Sequence, residues 1–369
     1  MQFDFSDDQK ELQTSVRRFF EKYSPTTAAR SVLESDAGYD TALWRQVGEQ
    51  GFLAAALPEE YGGVGAGYLE LCVVAEEVGR ALAPLPTVPS IYQAAEFLLL
   101  AGSEDQKSEW LPKIASGETI GTVALVERPG ELSSSTVATK AQGNKLSGTK
   151  LPVSNGMDAG LAIVAAQSDD GLSLYLVDLA GPGVERSGVN TIDPSLKHAT
   201  ITFAGAPAEP LGPPGAALDL IAKVRDRAAV LTAFEQIGGA DAALMTARDY
   251  ALGRFAFGRP IGSFQAIKHM LADMYVSLEL ARSNCYYGAW ALAGDSEKLP
   301  LAAATARVAA TQAYQLCSAN NIQVHGGMGF TWEFDCHLHY RRSNYLATAL
   351  GGQGHWEERL IASMRPVAA

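Results

Sequence analysis

The chain has 369 residues, 47% of them hydrophobic and 19% charged, a composition typical of a folded globular protein with room for two or three domains. Its formal net charge at pH 7 is −12 without any dense run of Lys and Arg, which argues against nucleic acid or an anionic membrane as the main partner, since both require a concentrated basic surface. The cysteines are widely spaced without a CxxC pair, and the N-terminus is acidic with no apolar signal core, so we expect a soluble cytoplasmic protein with reduced thiols.

The first 117 residues carry helical patterns and form a predicted N-terminal helical domain. Residues 6–9, Ser-Asp-Asp-Gln, have the pattern of a capping box, and apolar side chains follow them at helical spacing. The turn-rich segments PEEYGG and PLPTVP divide the region. Three further helices are predicted, over residues 41–50, 68–82 and 103–116.

Residues 118–210 form a predicted middle domain of the antiparallel β-barrel type. Short runs rich in β-branched residues, such as LAIVAA and ATITFAG, alternate there with glycine and Asn/Asp turns. A Pro/Gly cluster at residues 206–215 predicts a linker to the next domain.

From residue 211 to 369 long helical patterns return, and each runs well beyond the average helix length of globular proteins, as an antiparallel bundle requires. We therefore predict a C-terminal four-helix bundle and, for the whole chain, an α+β multi-domain fold. The four helices are predicted over residues 221–252, 265–294, 299–325 and 334–350.

Two short motifs have chemical interpretations that their context does not support. GGVGAG at residues 62–67 has the glycines of a dinucleotide loop, but no predicted strand precedes it, so we expect an ordinary glycine turn. His337 and His339 are two residues apart and diverge on a helix, unlike the i, i+4 pair of a metal site. We expect no metal centre, and no local signature of a catalytic triad is present in the sequence.

Two motifs in the predicted bundle are more informative. GRFAFGRPIGSFQAIKH, residues 253–269, ends one long helix and begins the next through a Phe-Gly bend, and an arginine beside a helix N-terminus suits a phosphate. QVHGGMGF, residues 323–330, places two glycines at a helix end, where they allow close backbone approach to a bulky group. Taken singly, Arg254 could cap its own helix and the glycines could form an ordinary C-cap turn.

These two motifs, together with PEEYGG at residues 58–63, closely resemble those of the flavin-dependent acyl-CoA dehydrogenases, and the resemblance covers essentially the whole chain. It implies a tetrameric assembly, FAD as cofactor, an acyl-CoA thioester as substrate and reoxidation by an electron-transferring flavoprotein. In such enzymes a glutamate removes the α proton of the thioester while the β hydrogen leaves as hydride to the flavin. Hydrogen bonds to the thioester oxygen and a desolvated carboxylate make that proton transfer feasible.

The resemblance implies that contacts to the adenosine-pyrophosphate half of FAD are retained, and that they reach the FAD of a neighbouring subunit. Contacts to the flavin ring are poorer. In VERPGELSS, Val126 stands where the family motif TEPxxGSD has a hydroxyl, and the family strand WIT is PVS here, with Pro152 replacing the tryptophan and a hydroxyl kept at Ser154. Proline offers neither an aromatic face nor a backbone donor. The residues that match the adenosine-pyrophosphate positions are Arg254, Phe257, Gln265, Gln323, Gly326 and Gly327.

The family's catalytic glutamate has no counterpart at its commonest position. That position lies twenty residues beyond the phenylalanine of the glycine motif, and counting from Phe330 reaches Leu350, which a glycine follows. Some members place the glutamate near the start of the first bundle helix, where this chain has Ala228. Glu235 lies two helical turns later on the same face and is the better candidate for a relocated base, because Asp226 points about 160° away from the expected direction.

This pattern of kept and lost contacts predicts the non-catalytic subunit of an α2β2 acyl-CoA dehydrogenase, whose homologous partner supplies the glutamate and the flavin-ring pocket. Heteromeric members of the family act on bulky CoA thioesters, so a steroid-type acyl-CoA is one expected substrate class. Two alternatives stay open: a self-sufficient homotetramer that uses Glu235 as its base, and a redox-inactive CoA-binding or structural protein of the same fold.

Overall fold

The computed structural model describes residues 5–128, 130 and 132–365, and it confirms the predicted α+β fold class. The chain forms two compact units, each with its own core. The helical unit comprises Met1–Arg30, Tyr68–Ala83 and Ala229–Ala369, and the sheet unit comprises Ser31–Gly67 and Pro84–Ala228. The bounds of the three domains expected from the sequence stay a prediction.

Helices form both ends of the described chain. The first begins at the predicted capping box, where Ser6 Oγ accepts a hydrogen bond from Gln9 N and the Gln9 side chain accepts one from Ser6 N. A π-helical turn, Ser90–Ala95, joins the fifth helix to the sixth. In chain order the helices are α1 (Asp7–Tyr23), α2 (Thr26–Leu33), α3 (Thr41–Glu49), α4 (Tyr68–Arg80), α5 (Thr87–Pro89), α6 (Glu96–Ala101), α7 (Glu104–Ala115), α8 (Ala217–Gly253), α9 (Gln265–Ala293), α10 (Leu299–His325), α11 (Cys336–Thr348) and α12 (Gln353–Met364).

The long helices lie close to their predicted positions. α10 has the predicted bounds, α9 ends one residue early, and α8 begins four residues early. α11 is shorter than the predicted 334–350, because the chain leaves the helix after Thr348 and Ala349 then pairs with Gly351, whose φ is +107°. The helical stretch 87–101 was not predicted, since the prolines of PLPTVP indicated a turn.

Within the helical unit, α4 crosses α8 closely through two glycines. A Cβ at Gly79 would overlap the carbonyl oxygen of Glu235, and a Cβ at Gly238 would overlap that of Glu76. The Glu76 carboxylate is fully buried at this crossing and accepts a hydrogen bond from Arg282 Nη1 at 2.5 Å. The buried charge is therefore compensated by a guanidinium from α9.

The sheet unit is built around an eight-stranded sheet whose order is β6-β7-β3-β2-β4-β5-β8, with β1 beside β4. Among the described residues the end strands β6 and β8 are not paired with each other, so the sheet is open and the predicted term barrel describes it loosely. Most pairs are antiparallel, but β1 and β2 both run parallel to β4, which the long connections between them permit. The strands are β1 (Gly121–Ala124), β2 (Lys140–Gln142), β3 (Lys145–Ser154), β4 (Leu161–Ser168), β5 (Gly171–Asp178), β6 (Val184–Val189), β7 (His198–Pro207) and β8 (Glu209–Leu211), and a separate hairpin pairs β9 (Phe255–Ala256) with β10 (Arg259–Pro260).

Three smaller expectations concern the thiols, the first glycine motif and the membrane. All four cysteines are buried and free, as predicted. GGVGAG follows the 3-10 helix Glu59–Tyr61 and not a strand, which confirms the ordinary glycine turn. In the part of the chain that the structure describes, no helix combines the length and the apolar character needed to cross a membrane.

Candidate functional site

The connection between α8 and α9 presents an aromatic side chain to solvent. The antiparallel hairpin β9–β10 closes through Phe257 and Gly258, whose φ angles of +53° and +80° satisfy the requirement of a type I′ turn. A positive φ is uncommon for a bulky residue and costs conformational energy, so a phenylalanine is not the residue that this turn favours. Phe257 is 95% exposed, so its packing within this chain does not explain its presence in the turn.

Polar donors flank this turn at the start of α9. Arg254 is exposed, and its guanidinium makes no hydrogen bond or ion pair with the described residues, so it does not cap the end of α8. Gln265 is the exposed first residue of α9, and the N-cap residue Phe264 provides no side-chain cap. Uncapped backbone N–H groups and a free guanidinium at a helix N-terminus form a donor set that suits an anion such as pyrophosphate.

The glycine motif at the end of α10 leaves backbone accessible. Gly326 has a φ of +60°, which requires a glycine or a strained residue, and a Cβ at Gly326 or at Gly327 would meet no atom within 4 Å. Gln323 is exposed on the last turn of α10. This open space beside the backbone is the room that a bulky group would need.

A stack of rings places the two motifs at the same end of the bundle. His325, the last residue of α10, stacks on Tyr250 in the last turn of α8 with ring centroids 4.0 Å apart. His325 Nδ1 lies 2.8 Å from the carbonyl oxygen of Asn321, and burial lowers the pKa of the imidazole. His325 is therefore a packed side chain, and the exposed groups around it are those of the two motifs.

In the sheet unit, the segment predicted to face a flavin ring is anchored by an ion pair between the buried Lys150 and the partly buried Glu127. Lys150 Nζ donates to Glu127 Oε1 at 2.8 Å, and the backbone N–H of Thr139 donates to the same oxygen at 2.9 Å. Burial by itself would raise the pKa of Glu127, but the hydrogen bonds from Lys150 and from the 138–139 backbone lower it to about 2. Leu151 N donates to the carbonyl oxygen of Val126 at 3.0 Å, so this backbone acceptor is already used.

The end of β3 carries one side-chain hydroxyl of the segment predicted to face the flavin ring, that of Ser154. Ser154 Oγ lies 3.3 Å from His198 Nε2, and the Ser154 carbonyl oxygen accepts a hydrogen bond from Thr122 Oγ1 at 2.6 Å. Pro152 is exposed and follows a cis peptide bond. The structure therefore brings a hydroxyl to this strand end but neither an aromatic face nor a donor at Pro152.

The loop between α11 and α12, residues 349–352, carries no titratable side chain. Leu350 is 5% exposed, so an apolar side chain fills the position that the family's glutamate occupies by sequence counting. The following residue, Gly351, has a φ of +107°, and a Cβ there would approach His355 Cδ2 to 2.9 Å. Gly351 is thus required by the shape of the loop, whatever residue stands at position 350.

Glu235 belongs to a buried charged cluster. Its Oε1 lies 3.9 Å from Arg342 Nη1, and both side chains are 1% exposed. Arg307, which is fully buried, donates to Gln236 Oε1 and to the carbonyl oxygen of Leu346 in the last turn of α11. Burial lowers the pKa of Arg307 to about 9, while the charge of Glu235 opposes that shift. Nearby guanidinium groups favour the charged form of a carboxylate and weaken it as a base.

The remaining positions considered for a base or a metal ligand are buried or packed. Asp226 is 5% exposed and Ala228 is fully buried. His339 Nδ1 lies 3.2 Å from Tyr314 Oη, and burial lowers the pKa of His339 to about 4, whereas His337 packs edge-on against Trp332. Within the described residues, no group of three His, Cys, Asp or Glu side chains is placed to hold a metal ion.

The buried cations Arg307 and Arg342 were missed by sequence reasoning. An arginine in an alanine-rich helical run, as in ATARVAA, is the one sequence signal that would have indicated a buried guanidinium at position 307. Arg342 follows another arginine, and its partner is distant in sequence, so no local pattern marks it.

Comparison with known proteins identifies the class that this fold and these motifs define, a flavin-dependent oxidoreductase. Residues 6–118 match the acyl-CoA dehydrogenase N-terminal domain, and residues 219–363 match the acyl-CoA dehydrogenase C-terminal domain. The chain belongs to the acyl-CoA dehydrogenase family, whose members are FAD-dependent flavoproteins.

The relatives match over nearly their whole length. The chain is 35% identical over 343 residues to the acyl-CoA dehydrogenase IpdE2 of Mycobacterium tuberculosis, covering 92% of each chain. It is similar to a chain of the ChsE4–ChsE5 complex of Mycobacterium tuberculosis, with a TM-score of 0.91, 28% identity and 100% of both chains covered. It is also similar to a variant of the Tcur3481–Tcur3483 steroid ACAD, with a TM-score of 0.86, 31% identity, and 97% of this chain and 98% of the other covered.

Proposed function

We propose that this chain is the non-catalytic subunit of a heteromeric acyl-CoA dehydrogenase and completes the FAD site of a homologous catalytic subunit. The observation that carries the proposal is the loop 349–352, in which a buried Leu350 takes the place of the base while the backbone keeps its shape through Gly351. A buried leucine cannot accept a proton, so this loop supports no α-proton abstraction.

The adenosine-pyrophosphate half of FAD fits the helical unit. The exposed face of Phe257 suits an adenine ring, and the free guanidinium of Arg254 beside the uncapped N-terminus of α9 suits the pyrophosphate. The open backbone at Gly326 and Gly327 leaves room for the same group. The amides of Gln265 and Gln323 complete the donor set. Because all of these groups are exposed on this chain, we infer that they serve a cofactor held by a neighbour.

The flavin-ring half of FAD fits the corresponding residues of this chain poorly. Val126 offers no hydroxyl, its carbonyl oxygen is engaged by Leu151 N, and Pro152 offers neither ring nor donor. Ser154 is the one side-chain hydroxyl retained from the family pattern in this stretch. When bound, FAD accepts the β hydrogen of the acyl thioester as a hydride. In the proposed assembly the partner subunit provides the carboxylate and the ring pocket for that reaction.

Two similar structures support the heteromeric assembly and the substrate class. The ChsE4–ChsE5 complex and the Tcur3481–Tcur3483 steroid ACAD each join two differently named chains, and the second is named for steroid chemistry. We propose by this likeness that the substrate is a bulky, steroid-type acyl-CoA. We further propose reoxidation by an electron-transferring flavoprotein, which the resemblance to the acyl-CoA dehydrogenases implies.

The experiment is to produce this chain alone and together with a homologous acyl-CoA dehydrogenase that retains the glutamate. Bound flavin per chain is measured from visible absorbance, and turnover is measured with a steroid-type acyl-CoA and an artificial electron acceptor. We expect little flavin and no turnover from the single chain, and one FAD per pair with turnover from the complex. Full FAD occupancy with turnover by this chain alone would refute the proposal.

A self-sufficient enzyme that uses Glu235 is favoured by one observation, the burial of this carboxylate on α8. The proximity of Arg342 opposes it, because an ion-paired carboxylate is a weak base. Glu235→Gln separates the two proposals: it abolishes turnover of the single chain only if Glu235 is the base. A colourless chain that binds acyl-CoA, alone or with partners, would instead indicate the redox-inactive alternative.

A further inference from the structure

A basic notch lies on the surface of the sheet unit, apart from the residues assigned above. It is an open concavity of about 330 Å³ at the edge of the β2–β3 hairpin. In this hairpin Lys140 pairs with Ser147 and Gln142 pairs with Lys145, so the four side chains share one face of the sheet. The residues that line the notch are Ala138, Lys140, Gln142, Lys145, Ser147 and Gly205.

The two lysines of the notch are not neutralised within the chain. Lys140 and Lys145 are exposed, and neither forms an ion pair with a carboxylate among the residues that the structure describes. Glu127 accepts hydrogen bonds from the 138–139 backbone beside the notch, but its charge is compensated by Lys150. The notch therefore carries two positive charges on a chain whose formal net charge is −12.

The hydroxyl of Ser147, which lines the notch, is available as a donor. Its Oγ accepts a hydrogen bond from the backbone N–H of Gly205 at 3.2 Å, so its own hydrogen remains available. Gly205 lies at the register shift between β3 and β7, where the extra residue of the bulge turns its N–H toward Ser147. The bulge thus fixes the position of a hydroxyl on the same face as the two lysines.

We propose that this notch binds the phosphate group of a phosphorylated small molecule. Two ammonium groups and one hydroxyl match the three terminal oxygens and the double negative charge of a phosphate monoester. A carboxylate has a single charge and two oxygens, and it would leave one donor unused. The volume exceeds that of a phosphate alone and lies at the lower end of small-molecule sites, so the ligand extends beyond its phosphate.

The test is calorimetric titration of the whole chain at an ionic strength of about 0.1 M with inorganic phosphate, and with acetate as the competing anion class. We expect one saturable phosphate site per chain and at least tenfold weaker acetate binding. Each lysine is expected to contribute on the order of tenfold in affinity, as charge-assisted hydrogen bonds do. K140Q/K145Q should therefore weaken phosphate binding about a hundredfold, and Ser147→Ala should weaken it less.

The matched control is K223Q/K298Q, which removes the same charge from two exposed lysines outside the notch. It should change phosphate affinity by less than threefold, because screening leaves little long-range attraction. Adenosine 3′,5′-bisphosphate, coenzyme A and dephospho-coenzyme A then distinguish a phosphate carried by an acyl-CoA from free phosphate. Absence of saturable phosphate binding to the wild-type chain, or equal loss in both double variants, would overturn the proposal. Neither result depends on whether the chain has a catalytic partner.

Discussion

The ion pair between Glu235 and Arg342 allows a prediction that tests whether Glu235 stabilises the fold or acts as the catalytic base. The perturbations are Arg342→Met, Glu235→Gln and the double variant. Arg342→Met keeps an unbranched side chain of comparable reach but leaves the buried Glu235 carboxylate without its 3.9 Å partner. Glu235→Gln keeps the shape of the side chain and removes its charge.

The expected loss of unfolding free energy in Arg342→Met follows from the burial of the ion pair. Removing one partner of a buried ion pair costs about 3–5 kcal/mol, and at 1% exposure solvent screens neither charge here. Arg342 Nη1 also donates to the Ala83 carbonyl oxygen at 3.1 Å, and loss of that bond costs about 1 kcal/mol. Arg307 compensates part of the Glu235 charge. We therefore expect Arg342→Met to cost about 3 kcal/mol of unfolding free energy.

The assay is urea unfolding of the four proteins, followed by circular dichroism and tryptophan fluorescence. The double variant removes both charges, so its loss should be smaller than the sum of the single losses, with a coupling of about 2 kcal/mol. The same Glu235→Gln chain, assembled with a catalytic homologue, should retain turnover. A coupling below about 0.5 kcal/mol, or turnover lost while stability is unchanged, would refute a structural role for Glu235.

Three further predictions concern other parts of the molecule. Gly238→Ala should lower the unfolding temperature by several degrees, because its Cβ would overlap the Glu76 carbonyl oxygen. Gly253→Ala on the same helix is the control and should not lower it, since a Cβ there meets no atom within 4 Å. Thermal unfolding measures both variants. Glu127→Gln should destabilise the chain most at pH 7 and progressively less as pH falls from about 5 to about 2. A carboxyl group whose folded-state pKa is depressed to about 2 contributes its full stability above its unfolded pKa, and that contribution is lost as pH falls through the folded pKa. Denaturant titrations across that range check the sign, and a constant difference would contradict it. Phe257→Ala should leave the unfolding temperature unchanged, since the ring is 95% exposed, yet reduce flavin retained by the assembled complex; loss of stability without loss of flavin would contradict this assignment.

The bundle could be predicted from the sequence because its signals are local. A long alanine-rich run without internal glycine predicted the bounds of α10, and the Ser6 capping box predicted the start of α1. The turn at Phe257 and the glycines at the end of α10 were recognisable for the same reason. In each case the residues that determine the structure are adjacent in the chain.

The features that sequence reasoning missed depend on distant partners. The segment 87–101 is helical although it begins among prolines, and its residues are nearly all buried, so packing overrides the turn signal. The sheet stays open because β6 and β8 each have a single neighbour, which no local pattern encodes. Arg307 reaches Gln236 and Leu346 from 71 and 39 residues away, beyond the reach of any periodicity argument.

In the loop 349–352 the two family positions have different roles. Position 351 determines the backbone conformation, and position 350 carries the base in the family pattern. Gly351 must be glycine, because a side chain would combine a φ of +107° with a 2.9 Å approach to His355. That constraint acts on the backbone and does not involve the residue before it. A chain that loses its base can therefore keep the glycine indefinitely, since replacing it would distort the start of α12. In this chain position 350 carries a buried leucine, so the shape of the loop does not require an acid there. The glycine without the acid is thus the pattern expected if, as proposed, this chain serves assembly and cofactor binding while another chain carries out the reaction.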